Sequence, residues 1–327
     1  MKYRTFGKTG LKIAEVSLGT WQLGSKWGDP FNEKVAEETL KTAVSLGINA
    51  FDTADVYSGG QSERSIGEFL KTVSNKPVVI TKVGRRLPKQ TKDGYTQENL
   101  SLFIHDSRKN LQVDALDMVL LHCPPTDVYY MPEVFQYLDE FKQEGFIKHY
   151  GVSVERIEEG LKALEYPGVE AIEIIFNMFR LRPMELFFEQ AKKKQVGIIV
   201  RVPLASGLLS GKYHEKTTFS AHDHRTYNRD GEAFDKGETF SGVDYHLGLK
   251  AVNELKKVFH TEALAPIALR WILMFDAVST VIPGASKPEQ IIENVKATEL
   301  PPLTEKQMKS VEEIYQTYIK DPVHHLW

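Results

Sequence analysis

The sequence predicts an α/β protein, a (β/α)8 TIM barrel with an N-terminal β-hairpin, a long loop after its seventh strand and extra C-terminal helices, forming one domain over residues 1–327. Three observations predict it. Short β-branched runs alternate with helix-period stretches along the chain. Gly47, Gly145 and Gly197 sit where helices should stop, each just ahead of a strand. Polar residues also stand at the carboxyl ends of three successive strands, the ends that converge on one mouth in a parallel barrel. A doubly wound sheet alternates in the same way and is the competing architecture.

Tyr3 to Glu15 carries the turn Gly7-Lys8-Thr9-Gly10 between short extended pieces and reads as a hairpin closing the barrel floor. Candidate strands follow at Glu15 to Leu18, Ala50 to Thr53, Val78 to Val83, Met118 to His122, His149 to Ser153, Ala171 to Phe176, Gly197 to Val202 and Val278 to Ile282. Helical periodicity fills Glu33 to Leu46, Gln61 to Thr72, Thr96 to Leu111, Pro132 to Glu144, Val154 to Leu164 and Pro183 to Lys194. The stretch from about Ser206 to Tyr245, rich in Gly, Asp, His and Arg, is too long and polar for an ordinary connection. Helical patterns at Leu247 to Phe259 and Thr304 to Tyr318 surround the last strand, and Trp327 is either a docked tail anchor or a lid on a pocket.

Composition narrows the function. Hydrophobic residues at 42% and charged ones at 26% are ordinary globular values, against disorder and membrane insertion. A net charge of -3 from 41 basic and 44 acidic residues argues against a nucleic-acid surface. The amino terminus has no apolar signal core and no run is long enough to span a bilayer, so the expected location is cytoplasmic. The single Cys123 allows no internal disulfide and leaves no Cys-based zinc site. There is no Gly-x-Gly-x-x-Gly after a strand, no phosphate-binding P-loop and no Gly-x-Ser-x-Gly elbow. His222-Asp223-His224 reads as a solvated loop rather than a metal site, and no metal is expected.

Four residues stand out at the mouth: Asp52 and Tyr57 after the second strand, Lys82 in the third and His122 at the end of the fourth. Around them lie Leu18-Gly19-Thr20-Trp21, Phe51-Asp52-Thr53-Ala54-x-x-Tyr57, Leu121-His122, Gly151-Val152-Ser153, Pro203 to Lys212 and Ile282 to Gln290 with Asn294. In this order and at this spacing, essentially over its whole length, the chain resembles the aldo-keto reductase family.

The resemblance implies NAD(P)H-dependent reduction of an aldehyde, ketone or sugar-like carbonyl, or the reverse. A carbonyl receiving hydride becomes an alkoxide, which needs an acid near its oxygen. Tyr57 would be that acid. Lowering its pKa of about 10 by three units takes roughly 4 kcal/mol, which an ammonium about 4 Å away can supply at an effective dielectric near 20. Lys82 would be that ammonium, Asp52 would hold it charged and oriented, and His122, neutral, would orient the carbonyl.

Cofactor contacts implied by the resemblance fall on Thr20, Trp21, Asp52, Ser153, Glu173 and Arg201, on Pro203, Leu204, Ser206, Gly207, Leu209, Gly211 and Lys212, and on Gly284, Ser286, Lys287, Gln290 and Asn294. Substrate would meet Trp21, Tyr57 and His122. Several positions depart from the better-known pattern: Val154 follows Ser153 where an asparagine is common, Glu173 replaces a glutamine, Arg201 an aromatic residue, Gly284 a lysine and Gln290 an arginine. Lys287 remains to meet a 2'-phosphate, which favours NADPH over NADH. Glu173 and Arg201, on neighbouring strands, are expected to form an ion pair with two parallel hydrogen bonds beneath the nicotinamide. Polar residues His222, His224 and Arg225 would tolerate a hydroxylated substrate, with small aldehydes and sugar-like carbonyls leading. Two other readings stand beside this one: a regulatory dinucleotide-binding member, and an unrelated barrel enzyme such as a metal-dependent sugar isomerase.

Overall fold

The computed structural model describes residues 1–25 and 28–327. A hairpin, β1 (Tyr3–Thr5) and β2 (Lys12–Ala14), precedes eight parallel strands: β3 (Leu18–Gly19), β4 (Ala50–Asp52), β5 (Val78–Val83), β6 (Leu116–His122), β7 (Ile147–Ser153), β8 (Val169–Ile175), β9 (Gly197–Arg201) and β10 (Val278–Val281). The strands pair in sequence order, and parallel bridges from Val16 to Val281 and from Gly19 to Gly284 join the first to the last. That closure excludes the doubly wound sheet, whose edges stay open. The first candidate strand is displaced: only Leu18 and Gly19 pair with β4, because the preceding residues bond across to the β10 side, with Ser17 donating to Val281 O at 2.9 Å.

Because side chains alternate along a strand, one parity of each strand faces the barrel axis. Ala50, Ile80, Met118, Leu120, Ala171 and Ile199 pack there in one buried cluster with Phe6 and Ile13 of the hairpin, which plugs the floor as anticipated. Two residues further along the same strands, with the same parity, come Asp52, Lys82, His122, Glu173 and Arg201. The barrel interior is thus an apolar floor beneath an ionic mouth. The outward parity builds the larger core against the helices, including Phe51, Val79, Val119, Val152, Ile172 and Val200.

Helix positions follow the periodicity with adjusted ends. The helix expected from Val154 begins at Ile157, because Glu159 accepts from the Glu155 and Arg156 amides and holds that stretch in a cap. The one expected from Pro183 begins at Phe187 after a short 3-10 turn, and the last long helix, Glu305–Ile314, continues into a π-helical turn. Helices at Ala265–Ile272 and Pro288–Val295 complete the outer layer. Gly47 and Gly145 adopt positive φ at helix ends as expected, but Gly197 does not; Gln195 takes the left-handed position there. Gly197 is glycine because a Cβ would lie 2.4 Å from the Phe6 ring. Gly197→Ala should therefore cost about 1 to 3 kcal/mol by overpacking the floor, read as a lowered denaturation midpoint with unchanged turnover.

Candidate active site

Asp52 and His122 end β4 and β6, and Lys82 is the penultimate residue of β5. Tyr57 opens the turn after β4, where Ser58, Gly59 and Gly60 all take positive φ and return the chain to the helix Gln61–Leu70. Lys82 is fully buried. Its ammonium donates to Asp52 Oδ1 and Oδ2 at 2.6 and 2.7 Å, to Thr53 O at 3.1 Å and to Tyr57 Oη at 3.3 Å. The Tyr57 ring meets His122 edge-on at 5.9 Å between centroids and Trp21 at 6.2 Å. All four residues expected at the chemistry come together.

The electrostatics depart from the simple expectation. Tyr57 is held above its ordinary value, not below: burial pushes it up, Lys82 pulls it down, and Asp52 and Glu173 push it up again. Burial of the phenol is the chief cause, and a second carboxylate on Lys82 adds to it, since Glu173 Oε2 lies 3.4 Å from the ammonium. Burial would depress the Lys82 ammonium, but Asp52 and Glu173 overcome this and hold it protonated. His122 sits well below the usual imidazole range through burial and the nearby cations Arg85, Lys82 and Arg201, so it is neutral, as expected.

Arg201 does face Glu173, with Nε 3.9 Å from Oε1, but without the two parallel hydrogen bonds. Its Nη2 instead donates to Glu155 Oε2 at 2.7 Å and to Val154 O at 3.1 Å, and its Nη1 lies 3.5 Å from Glu238. Glu173 accepts from Ser153 Oγ at 3.2 Å. Arg85 bonds Glu238 at 2.8 Å and Glu155 at 3.3 Å, which completes a network of two guanidinium groups and two carboxylates beside the tetrad. Burial and Glu238 push Glu155 up, while Arg85 and Arg201 overcome burial to hold Glu238 down. Cys123 with Glu155 and Glu238 could present three metal ligands, but these guanidinium groups already pair both carboxylates.

A cavity of about 730 Å³ runs from Trp21, Tyr57, His122 and Glu173, past Pro203 to Gly207, to Lys212 on one side and Lys287, Gln290 and Asn294 on the other. Asp52, Ser153, Arg201 and Gly284 also line it. Four residues expected to touch a cofactor do not line the cavity. Thr20 is buried and gives its hydroxyl to Asp52 O at 2.7 Å, so it braces the strand end. Leu209 is core. Gly211 takes a left-handed turn against Glu262. The Ser286 amide and hydroxyl both donate to Gln290 Oε1, at 2.7 and 3.0 Å.

The long segment is also less open than its composition implied. His222 is exposed, but Asp223 and His224 are buried, against the expectation of a solvated loop. His224 packs on Trp21 at 5.2 Å and Arg225 is held by Asp223 at 2.5 Å, yet both line the cavity together with Arg85 and Glu238, whereas His222 does not. Phe234, 5.9 Å from Trp21, extends the aromatic wall. Trp327 is a tail anchor, not a lid: it is buried, donates Nε1 to Asp235 at 3.1 Å and carries Arg180 at 4.3 Å from its ring.

Arg85, Glu155, Glu238 and Phe234 were not anticipated. Arg85 had a signal, standing three residues past a mouth-facing lysine; Glu238 and Phe234 reach the site only through the fold of the long segment.

The sequence profile described as "Aldo/keto reductase family" matches residues 15–316. The chain belongs to the aldo/keto reductase family. This removes the unrelated barrel enzyme as a reading. Aldo-keto reductase YhdN of Bacillus subtilis (strain 168) is 28% identical over 330 residues, 99% of this chain and 96% of the relative. A protein of Schizosaccharomyces pombe named putative voltage-gated potassium channel subunit beta is 30% identical, covering 95% of this chain and 92% of its own. Among solved structures, the holo form of aldo-keto reductase AKR11C1 from Bacillus halodurans matches with TM-score 0.78 and 27% identity over 99% of each chain. The glycerol dehydrogenase AKR11B4 from Gluconobacter oxydans matches with TM-score 0.79 and 26% identity over 98% of this chain and 97% of that one. Among the described residues no helix is long and apolar enough to cross a membrane.

Proposed function

We propose that the protein is an NAD(P)-dependent oxidoreductase that interconverts an aldehyde, ketone or sugar-like carbonyl with its alcohol. The observation that carries this reading is the contact of Tyr57 Oη with Lys82 Nζ at 3.3 Å, beside Asp52 and His122, in a cavity of about 730 Å³ whose lining also includes Lys212, Lys287 and Asn294. A bound nicotinamide would supply or accept the hydride. Tyr57 holds the proton at Oη and passes it to the substrate oxygen or takes it back. Lys82 carries the positive charge that steadies the phenolic oxygen, Asp52 fixes Lys82, and His122, neutral, orients the oxygen from the other side. The Trp21 and Phe234 faces exclude water and suit the carbon skeleton, while Arg85 and Glu238 offer a polar rim to hydroxyls. The deciding experiment measures dinucleotide binding by fluorescence and then screens aldehydes, ketones and aldoses with their alcohols in both directions. Binding without turnover on any pair would refute the enzyme reading.

For the cofactor we favour NADPH, supported by Lys287, whose exposed ammonium lines the far end of the cavity 3.9 Å from Glu289. Lys287→Ala should weaken NADPH binding by about 1 to 3 kcal/mol and leave NADH nearly unchanged. Equal losses for both would place Lys287 at the shared pyrophosphate instead.

A second reading is that of a regulatory dinucleotide-binding subunit, favoured by the likeness to the Schizosaccharomyces pombe protein. Its signature would be bound reduced cofactor that every carbonyl oxidises only very slowly. The complete Asp52, Tyr57, Lys82 and His122 set favours the catalytic reading. No surface for nucleic acid or membrane is invoked, and a cytoplasmic location remains the expectation.

A further inference from the structure

Glu173 is the least expected group in the mouth. It is 1% exposed, its Oε1 accepts from Ser153, and its Oε2 has no hydrogen-bond partner while lying 3.4 Å from Lys82 Nζ. Lys82 already binds both oxygens of Asp52, so one ammonium faces two carboxylates that are almost wholly buried at the cavity wall. The other cation beside Glu173, Arg201, comes only to 3.9 Å and spends its Nη groups on Glu155 and Glu238, which Arg85 shares. Among the described residues packed around Glu173, the charges are therefore Lys82, Arg85 and Arg201 against Asp52, Glu173, Glu155 and Glu238. Three cations against four carboxylates leave one anion in surplus. His122 is neutral, and Arg180 and Asp235, which both act on this network from beside Glu155, add one charge of each sign.

A largely desolvated anion in surplus is costly until a cation or a proton answers it. The nicotinamide ring is a cation when oxidised and uncharged when reduced. We infer that Glu173, as the second carboxylate on Lys82, makes this site select the oxidised dinucleotide over the reduced one. The inference rests on the nicotinamide reading above. In the free protein a proton fills the vacancy: burial and Glu173 push the Asp52 carboxyl up, and Glu155 is pushed up to about 8, chiefly by burial. The ring's charge replaces that proton. Binding of the oxidised form should release a proton and tighten as pH rises toward 8, because a carboxyl with a raised pKa is charged only above it; binding of the reduced form should do neither. The resting protein is then loaded for alcohol oxidation.

The test is calorimetric titration of NADP+ and NADPH, at pH 6 and pH 8.5 and in two buffers of different ionisation enthalpy, into the wild type, Glu173→Gln and Glu173→Asp. The expected result is proton release with NADP+ alone, with a wild-type preference for NADP+ that falls on the order of tenfold in Glu173→Gln and is retained in Glu173→Asp. An unchanged preference in Glu173→Gln, or NADP+ binding without proton release, overturns the inference. Should Glu173→Gln fail to fold, the wild-type proton release and pH slope decide alone. Equal binding of both forms would sink this inference and leave the cofactor reading standing, whereas failure of either form to bind would remove the cofactor reading and this inference with it.

Discussion

Tyr57→Phe should lower turnover on the best substrate by at least the 10²-fold typical of a lost general acid, with fold and cofactor affinity kept. The ring remains, so its contacts with Trp21 and His122 persist and only the hydroxyl 3.3 Å from Lys82 is lost. Steady-state kinetics beside dinucleotide binding separate the two effects. Near-native turnover would show that another group moves the proton.

Lys82→Met should be as damaging to turnover and far more damaging to the fold. In the wild type the ammonium answers Asp52 and Glu173 together. Without it, two buried carboxylates face each other unpaired, which costs about 3 to 5 kcal/mol. The pH sign follows from the raised Asp52 pKa: such a group costs the folded state most where it must be charged, so the deficit should grow from pH 5 to pH 8. Denaturant melts at the two pH values check this, and an equal deficit at both would mean that the lost stability is packing alone. For turnover, Tyr57→Phe and Lys82→Met should combine non-additively, since both serve one proton transfer.

The tetrad was legible because each strand-borne member lies at the carboxyl end of a strand, where period-two alternation fixes which way a side chain points. The same alternation correctly turned Glu173 and Arg201 inward. Their other partners were not legible. Reasoning by adjacent strands paired them with each other, and they do face at 3.9 Å, but their shorter contacts lie elsewhere: Lys82 reaches across the mouth to Glu173 and Arg201 turns to Glu155 and Glu238. Glu155 lies past the end of β7, in a stretch held by Glu159 rather than in a helix, and Glu238 arrives on the long segment. Neither position follows from periodicity. The expected lowering of Tyr57 failed chiefly because burial of the phenol outweighs the ammonium, and also because that ammonium was counted without its second carboxylate. Trp327 likewise had no local pattern to mark it; its place depends on a tail returning to Asp235.

The separation of floor from mouth has a consequence for redesign. Phe6 and Ile13 seal the end of the barrel away from Tyr57, and of the apolar layer packed with them only Ile282 lines the cavity at the mouth. Substitutions that tighten the hairpin can therefore raise tolerance to heat without retuning the chemistry. Exchanges among Arg85, Phe234 and Glu238 reshape the cavity wall while the hairpin end holds the chain folded. A laboratory lineage could accumulate robustness at one end of this molecule and spend it on new selectivity at the other.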